Sequence, residues 1–175
     1  MRRSKYNTVG GALCVLALAL VAGCGYALVG KGSALPQDVR SVSIPLFENK
    51  TGEPELDSIV TRAVKDEFIR DGRLKVDDSG AADTLLVGSI ESYSLQPVAY
   101  SSDNVATEYI VSLDIQITHR YARREKTLTK QRVAITWRYV SQSAIAAAES
   151  QRLAATEDAA KRAAETLVSV VVEAF

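Results

Sequence analysis

The stretch DVRSVSIPLFENKTGEPELDSIVTRAVKDEFIRDG, residues 38–72, changes its hydrophobic period partway along, and that change decides the fold class. Val39, Val42 and Ile44 stand among polar residues and predict a strand that stops near Pro45, where the backbone loses a donor. Glu48, Asn49, Lys50, Thr51 and Gly52 read as a turn. From there Leu56, Ile59, Val60, Ala63, Val64 and Phe68 recur at three- and four-residue spacing, which predicts a helix with one apolar face. Pro54 suits the first helical position, and Glu53, Glu55 and Asp57 favour the positive N-terminal end. Gly72 suits the C-terminal cap. A strand followed at once by an amphipathic helix points to a mixed α and β domain.

The segments that follow extend the pattern. Residues 73–76 (RLKV) predict a short strand, and Asp77, Asp78, Ser79 and Gly80 a turn. A third strand starts at Thr84, and its Gly88 marks a bulge or a close backbone approach. Gln96-Pro97 and the tract Ser101, Ser102, Asp103 and Asn104 read as a loop. Two longer strands come next. Tyr109, Val111, Leu113, Ile115 and Ile117 share one face, against Ser112, Asp114, Gln116 and Thr118 on the other. Val133, Ile135, Trp137 and Tyr139 repeat the alternation, and residues 122–131 between the two form a polar, basic hairpin tip. From about Ser143 an alanine-rich helix carries Leu153, Ala160, Ala164, Leu167 and Val171 along one side. The expectation is an α+β fold in the order β-α-β-β-β-β-α. Two helices pack on one face of a four- to five-stranded, mostly antiparallel sheet.

Upstream, the chain opens with Arg2, Arg3 and Lys5 and then runs apolar to LVAGCGYAL, residues 20–28. A basic start, an apolar run and small residues before a cleavage point describe a secretory signal peptide. The alternative is a bilayer-spanning helix, since residues 10–29 approach the ~20 apolar positions that a span needs. The glycines at 10, 11, 23, 25 and 30 weigh against it, each costing about 1 kcal/mol relative to alanine in a helix interior. Val21-Ala22-Gly23-Cys24 resembles the lipobox of bacterial lipoproteins. That resemblance implies cleavage before Cys24, a diacylglyceride on its sulfur and acylation of the new N-terminus. The expected organisation is a signal peptide at 1–23, a lipidated cysteine and short tether at 24–37, and one α+β domain at 38–175. Position 25 is glycine rather than aspartate, which by analogy favours the outer membrane.

Composition narrows the function. Three of the 21 basic residues and none of the 21 acidic ones precede Cys24, so the chain from there on carries a formal charge of about −3. No nucleic-acid partner is expected, because such domains are usually strongly basic. The other cysteine, Cys14, lies in the discarded segment, so the mature chain has no disulfide. With His119 the only histidine, a transition-metal site is not expected, and neither is any other cofactor. No nucleophile elbow or phosphate-binding glycine loop occurs, and an enzyme is not the reading. The charge pattern is more informative. Arg120, Arg123, Arg124, Lys126, Lys130 and Arg132 face one acid, Glu125, and would gather at the hairpin tip and the strand ends beside it. Such a cluster can hold phosphates, for which arginine offers paired donors, or it can be a solvated tip. Tyr100, Ser101, Ser102 and Asn104 form a candidate partner-contact loop. The polar face of the long strands needs either a partner or water.

The order of features resembles the LptE family of lipopolysaccharide-assembly lipoproteins from Gram-negative outer membranes. The residues that carry the resemblance are SVSIPLFENKTGEPELDSIVTRAVKDEFIRDGRLKV at 41–76, ADTLLVGSIESYSLQP at 82–97 and EYIVSLDIQI at 108–117. The resemblance implies an outer-membrane lipoprotein, lipid-anchored on the periplasmic side or within a barrel lumen. It would plug and help assemble an LptD-type β-barrel translocon and assist lipopolysaccharide insertion into the outer leaflet. The cation cluster is then the candidate lipopolysaccharide site, on charge alone. A lipoprotein activator of a peptidoglycan synthase is the alternative, because the IPLFENKT opening fits it too. The short tether favours a domain close to the membrane.

Overall fold

The computed structural model describes residues 35–141 and 145–173. The predicted signal segment, Cys24 and most of the tether lie outside them. The elements run β1 (Ser41–Ser43), β2 (Glu48–Asn49), α1 (Leu56–Asp71), β3 (Lys75–Val76), β4 (Thr84–Tyr100), β5 (Ala106–Tyr121), β6 (Thr127–Val140) and α2 (Ile145–Glu173). The fold is α+β, with both helices sharing one core with one side of the sheet. The sheet has six strands in the order β3-β1-β4-β5-β6, with β2 also on β4.

Strand number and direction correct the expectation. β4, β5 and β6 form a long antiparallel meander, but β1 runs parallel to both β3 and β4, and β2 runs parallel to β4. The sheet is therefore mixed. The expected turn at Glu48 and Asn49 is a strand that rejoins the edge of β4 after an interruption. Val42 pairs with Thr84 and Glu48 with Ser89, so six residue steps on one side match five on the other. Pro45 lies in that gap, and a residue without an N–H suits a break in a ladder. A second correction concerns Gln96-Pro97, which is strand: β4 continues to Tyr100.

The motif IPLFENKT works structurally. Phe47 is almost wholly buried and lies over Gly88, where an added Cβ would sit 2.3 Å from its ring. Gly88 is thus the close approach, and the bulge falls later: Ile90 pairs with Ile115 and Ser92 with Asp114, leaving Glu91 over. That extra residue moves the helix-facing positions of β4 from even to odd numbers, from Leu86 and Ile90 to Tyr93. The Phe47 amide donates to Thr61 Oγ1 at 3.0 Å and so ties the motif to α1. Asn49 locks the turn. Its Oδ1 accepts from the Thr51 amide at 2.9 Å and the Thr51 hydroxyl at 2.7 Å, and its Nδ2 donates to the Glu53 carbonyl at 2.8 Å.

α1 begins at Leu56, after Glu55 in the left-handed region at φ 58°, so Pro54 sits in the turn and not in the first helical position. Gly72 caps the helix as expected, its amide donating to the Phe68 carbonyl at φ 73°. Leu56, Val60, Val64 and Phe68 are fully buried, and each such side chain removed from water stabilises by roughly 1.5–3 kcal/mol. α2 packs on both α1 and the sheet, burying Ala155, Ala159, Ala160, Ala163 and Ala164, whose small size allows close approach, then Leu167, Val168 and Val171. Leu153, expected on this side, is instead exposed. Among the described residues no helix is long and apolar enough to cross a membrane.

Candidate functional site

Register divides the basic cluster in two. On β5 the residues from Val111 to Tyr121 alternate between buried and part-exposed. Arg120 therefore points away from the helices, between the buried His119 and Tyr121. Lys130 pairs opposite Thr118 and Arg132 opposite Gln116, both on that same open face. Arg123, Arg124 and Lys126 lie in the exposed loop 122–126, because β6 already starts at Thr127. The cluster expected over the tip and the strand ends beside it is thus a tip group and a sheet-face group. The separation is physical: a hydrogen-bonded strand spaces its residues along the sheet instead of gathering them.

The open face is a polar surface with its own ion pairs. Arg132 grips Asp114 with Nε 2.8 Å from each carboxylate oxygen and with Nη2 on Oδ2. That guanidinium holds the Asp114 carboxyl below the usual carboxylate range. Lys50 Nζ lies 2.8 Å from Glu91 Oε1, and this bond, followed by that from the Ser89 hydroxyl, lowers the Glu91 carboxyl. Arg138 pairs with Glu108 at 3.4 Å. A shallow hollow of about 310 Å³ opens here, lined in part by Lys50, Glu91, Gln116, Thr118 and Lys130. Arg120 and Lys130 make no ion pair among the described residues. Sequence reasoning did not single out Lys50, Asp114 or Arg138. For Asp114 the signal was present, since it alternates with Leu113 and Ile115 and sits two residues from Gln116, the partner of Arg132.

At the other end of the sheet, Tyr100 closes β4 and is 56% exposed. Ser101 shapes the turn: its amide donates to the Val105 carbonyl at 2.8 Å, and its hydroxyl accepts from the Val105 amide at 3.3 Å. Asn104 takes φ 59°, a conformation asparagine tolerates better than most residues, and its amide donates to the Ser101 carbonyl. Ser102 is exposed at the apex. Exposed Val98, Val105 and Val140 share this end, so the loop is less polar in its surroundings than its sequence suggests. Below it, the rings of Tyr109 and Tyr139 stack at 5.2 Å.

His119 is not at a reactive site. It is fully buried, and neither ring nitrogen has a hydrogen-bond partner; nor does Thr129 Oγ1 on the residue paired with it. Desolvation pushes the imidazole down to about 4, which leaves it neutral at pH 7. Among the described residues no group of histidine, cysteine and carboxylate side chains could hold a metal ion.

A helix-covered apolar face backed by an exposed, ion-paired polar face defines an α+β domain with one sheet face left open. The family model described as LptE, lipopolysaccharide-assembly, matches residues 39–170. The chain belongs to the LptE family, a non-enzymatic family of lipopolysaccharide assembly. No curated protein sequence matches it significantly. Among solved structures, a candidate lipoprotein from Caulobacter crescentus is similar at 18% identity and a TM-score of 0.53, covering 73% of this chain and 88% of that one. A protein from Xanthomonas campestris is similar at 13% identity and a TM-score of 0.55, covering 80% and 88%. A Leu-to-Met variant of the PelC dodecamer from Paraburkholderia phytofirmans is similar at 13% identity and a TM-score of 0.51, covering 80% and 94%. These likenesses concern the fold.

Proposed function

We propose that this chain is an outer-membrane lipoprotein that plugs and helps assemble an LptD-type β-barrel translocon, and that it assists the insertion of lipopolysaccharide into the outer leaflet. In this reading the chain is cut before Cys24, Cys24 carries the lipid, residues 24–37 are tether, and residues 38–175 are the plug. The observation that carries it is the family match over 39–170 together with the exposed polar face of β4, β5 and β6. Barrel interiors are polar, and a face that carries Ser94, Ser112, Asp114, Gln116 and Thr136 suits such a wall. Arg120 and Lys130, with Arg132 beside them, are the cations suited to lipopolysaccharide phosphates. In the same reading Tyr100, Ser101, Ser102 and Asn104 contact the barrel at the far end.

Gentle solubilisation of the outer membrane followed by purification of this protein tests the reading. A stoichiometric large β-barrel is expected to co-purify. Recovery of a peptidoglycan synthase with no barrel would overturn it. For the phosphate site, Arg120→Gln with Lys130→Gln is expected to weaken lipopolysaccharide binding about tenfold or more, and unchanged binding would remove these residues from the site.

A further inference from the structure

The free edges of the sheet differ in how they are guarded. Among the described residues, β3 has no strand beyond it, β4 has none on its outer side past Ile90, and β6 has none on its outer side at all. β3 is very short, Lys75–Val76. The upper part of β4 carries Pro97 and register shifts at Ile90/Ser92, Pro97/Ala99 and Ala99/Tyr100. Short strands, prolines and bulges are the means by which an edge refuses another strand. β6 has none of them: from Thr129 to Val140 it keeps one register with β5, without a bulge or a proline.

One bond fixes which backbone groups of β6 are free. The Ser141 amide donates to the Thr107 carbonyl at 2.8 Å, which marks the hydrogen-bonded kind of antiparallel pair. Such pairs alternate along a ladder. The odd-numbered residues from Thr129 to Tyr139 therefore turn their amides and carbonyls to β5, and the even-numbered ones from Lys130 to Val140 turn theirs outward. The outward row is about 34 Å long at ~3.4 Å per residue. Side chains say what fits beside it. β6 carries Lys130, Arg132 and Arg138 on the open face and no acid. Arg132 and Arg138 reach back to Asp114 and Glu108 on β5, and so lean away from the edge. On the helix side Val133 is buried, while Ile135 and Trp137 are only half-buried. A second copy of β6 fits poorly. Pairing two copies doubles the cations on one face and supplies no acid, and the longest two-fold register sets Arg132 opposite Arg138, where like charges destabilise.

We infer that β6 is a docking edge for an extended segment of the barrel chain, which adds to the sheet as a further strand along Arg132–Val140, with acidic residues on the open face and apolar residues on the helix side. This rests on the translocon reading proposed above. The strands of a closed barrel wall have both edges bonded, so the segment comes from a barrel loop folded into the lumen. Backbone bonds to the outward row supply the affinity, and side chains alternating in character supply the choice of partner. Carboxylates beside Arg132 and Arg138 give each guanidinium a second partner, and apolar residues on the other side cover Ile135 and Trp137. Lys130, at the hairpin end, stays open to the phosphates.

The test is amide hydrogen exchange, run on the full chain alone and in the gently solubilised outer-membrane complex, then quenched and read residue by residue. In the chain alone, the amides of Arg132, Ala134, Thr136, Arg138 and Val140 are expected to exchange fast and their odd-numbered neighbours slowly. In the complex the same amides should slow at least ~tenfold. Ala134→Pro removes one outward N–H and no bond to β5, at a position where edge strands accept proline. It should cut barrel recovery several-fold, whereas Ala134→Val, which keeps the N–H, should not. On the isolated chain, a short peptide alternating valine with glutamate should bind several-fold tighter than one alternating valine with lysine, and equal binding overturns the acidic partner. A co-purified barrel with these amides still fast overturns the docking alone, whereas no barrel at all overturns the translocon reading with it. Slow exchange in the chain alone also overturns the proposal: the edge is then covered by its own tether, or by a second copy if the slowing grows with concentration.

Discussion

The two faces of the β4–β5–β6 meander are built by the same strands and could hardly differ more. Leu113, Ile115 and Ile117 are buried under the helices, while the residues between them, Ser112, Asp114, Gln116 and Thr118, remain part-exposed. The helix face holds the domain together through apolar burial. The open face contributes little to folding, because its charges are paired in water, where exposed pairs are worth about 0–1 kcal/mol. A surface that stability does not need is free to be shaped by a partner. The difference predicts that substitutions on the two faces will separate by what they damage.

The largest effect is expected at Phe47→Ala, about 3–5 kcal/mol of lost stability in urea unfolding, because a buried ring over Gly88 would leave a cavity. A loss below ~1 kcal/mol would mean that the motif does not seal the helix face. Next comes His119, buried on that face of β5. Its folded pKa of about 4 lies below the ordinary 6.5, so the unfolded chain takes up the proton first. Stability should therefore be level above pH 6.5 and fall by about 3 kcal/mol as pH drops to 4. The carboxyls of Asp83 and Asp114, lowered from 3.8, add their losses below that window. His119→Leu removes unpaired polar atoms and should stabilise by roughly 1–3 kcal/mol at pH 7 while flattening the slope. An unchanged pH profile would show that His119 is not desolvated. Gly88→Ala forces its new methyl group into the Phe47 ring and should cost about 1–3 kcal/mol by overpacking. The smallest effect belongs to the open face. Arg132→Gln should change stability by less than ~1 kcal/mol, and a larger loss would break the distinction between the faces.

Much of this could be read from residue order. The alternation from Tyr109 to Ile117 foretold which side of β5 is buried, and it continues through His119 and Tyr121. The spacing from Leu56 to Phe68 foretold the buried side of α1. The motif residues drew attention correctly, but their role is architectural: Asn49 and Thr51 close a turn and Phe47 covers a glycine. The candidate site was only half legible. Six cations close in sequence suggested one patch, yet pairing of Lys130 with Thr118 and Arg132 with Gln116 carries two of them onto the sheet face, and alternation adds Arg120.

What the sequence by itself determined is period: which segments are strand or helix, and which side chains of each face the same way. Sterics within one element settle that, since successive side chains alternate along a strand and recur every three or four residues on a helix. Only the tertiary structure decided how the elements join. The parallel return of β2 to β4, the extra residue at Glu91 that reverses the parity of β4, and the division of the basic cluster all depend on hydrogen bonds between segments far apart in the chain. No periodicity within either partner encodes those pairings; the shared core and the ladder select them together.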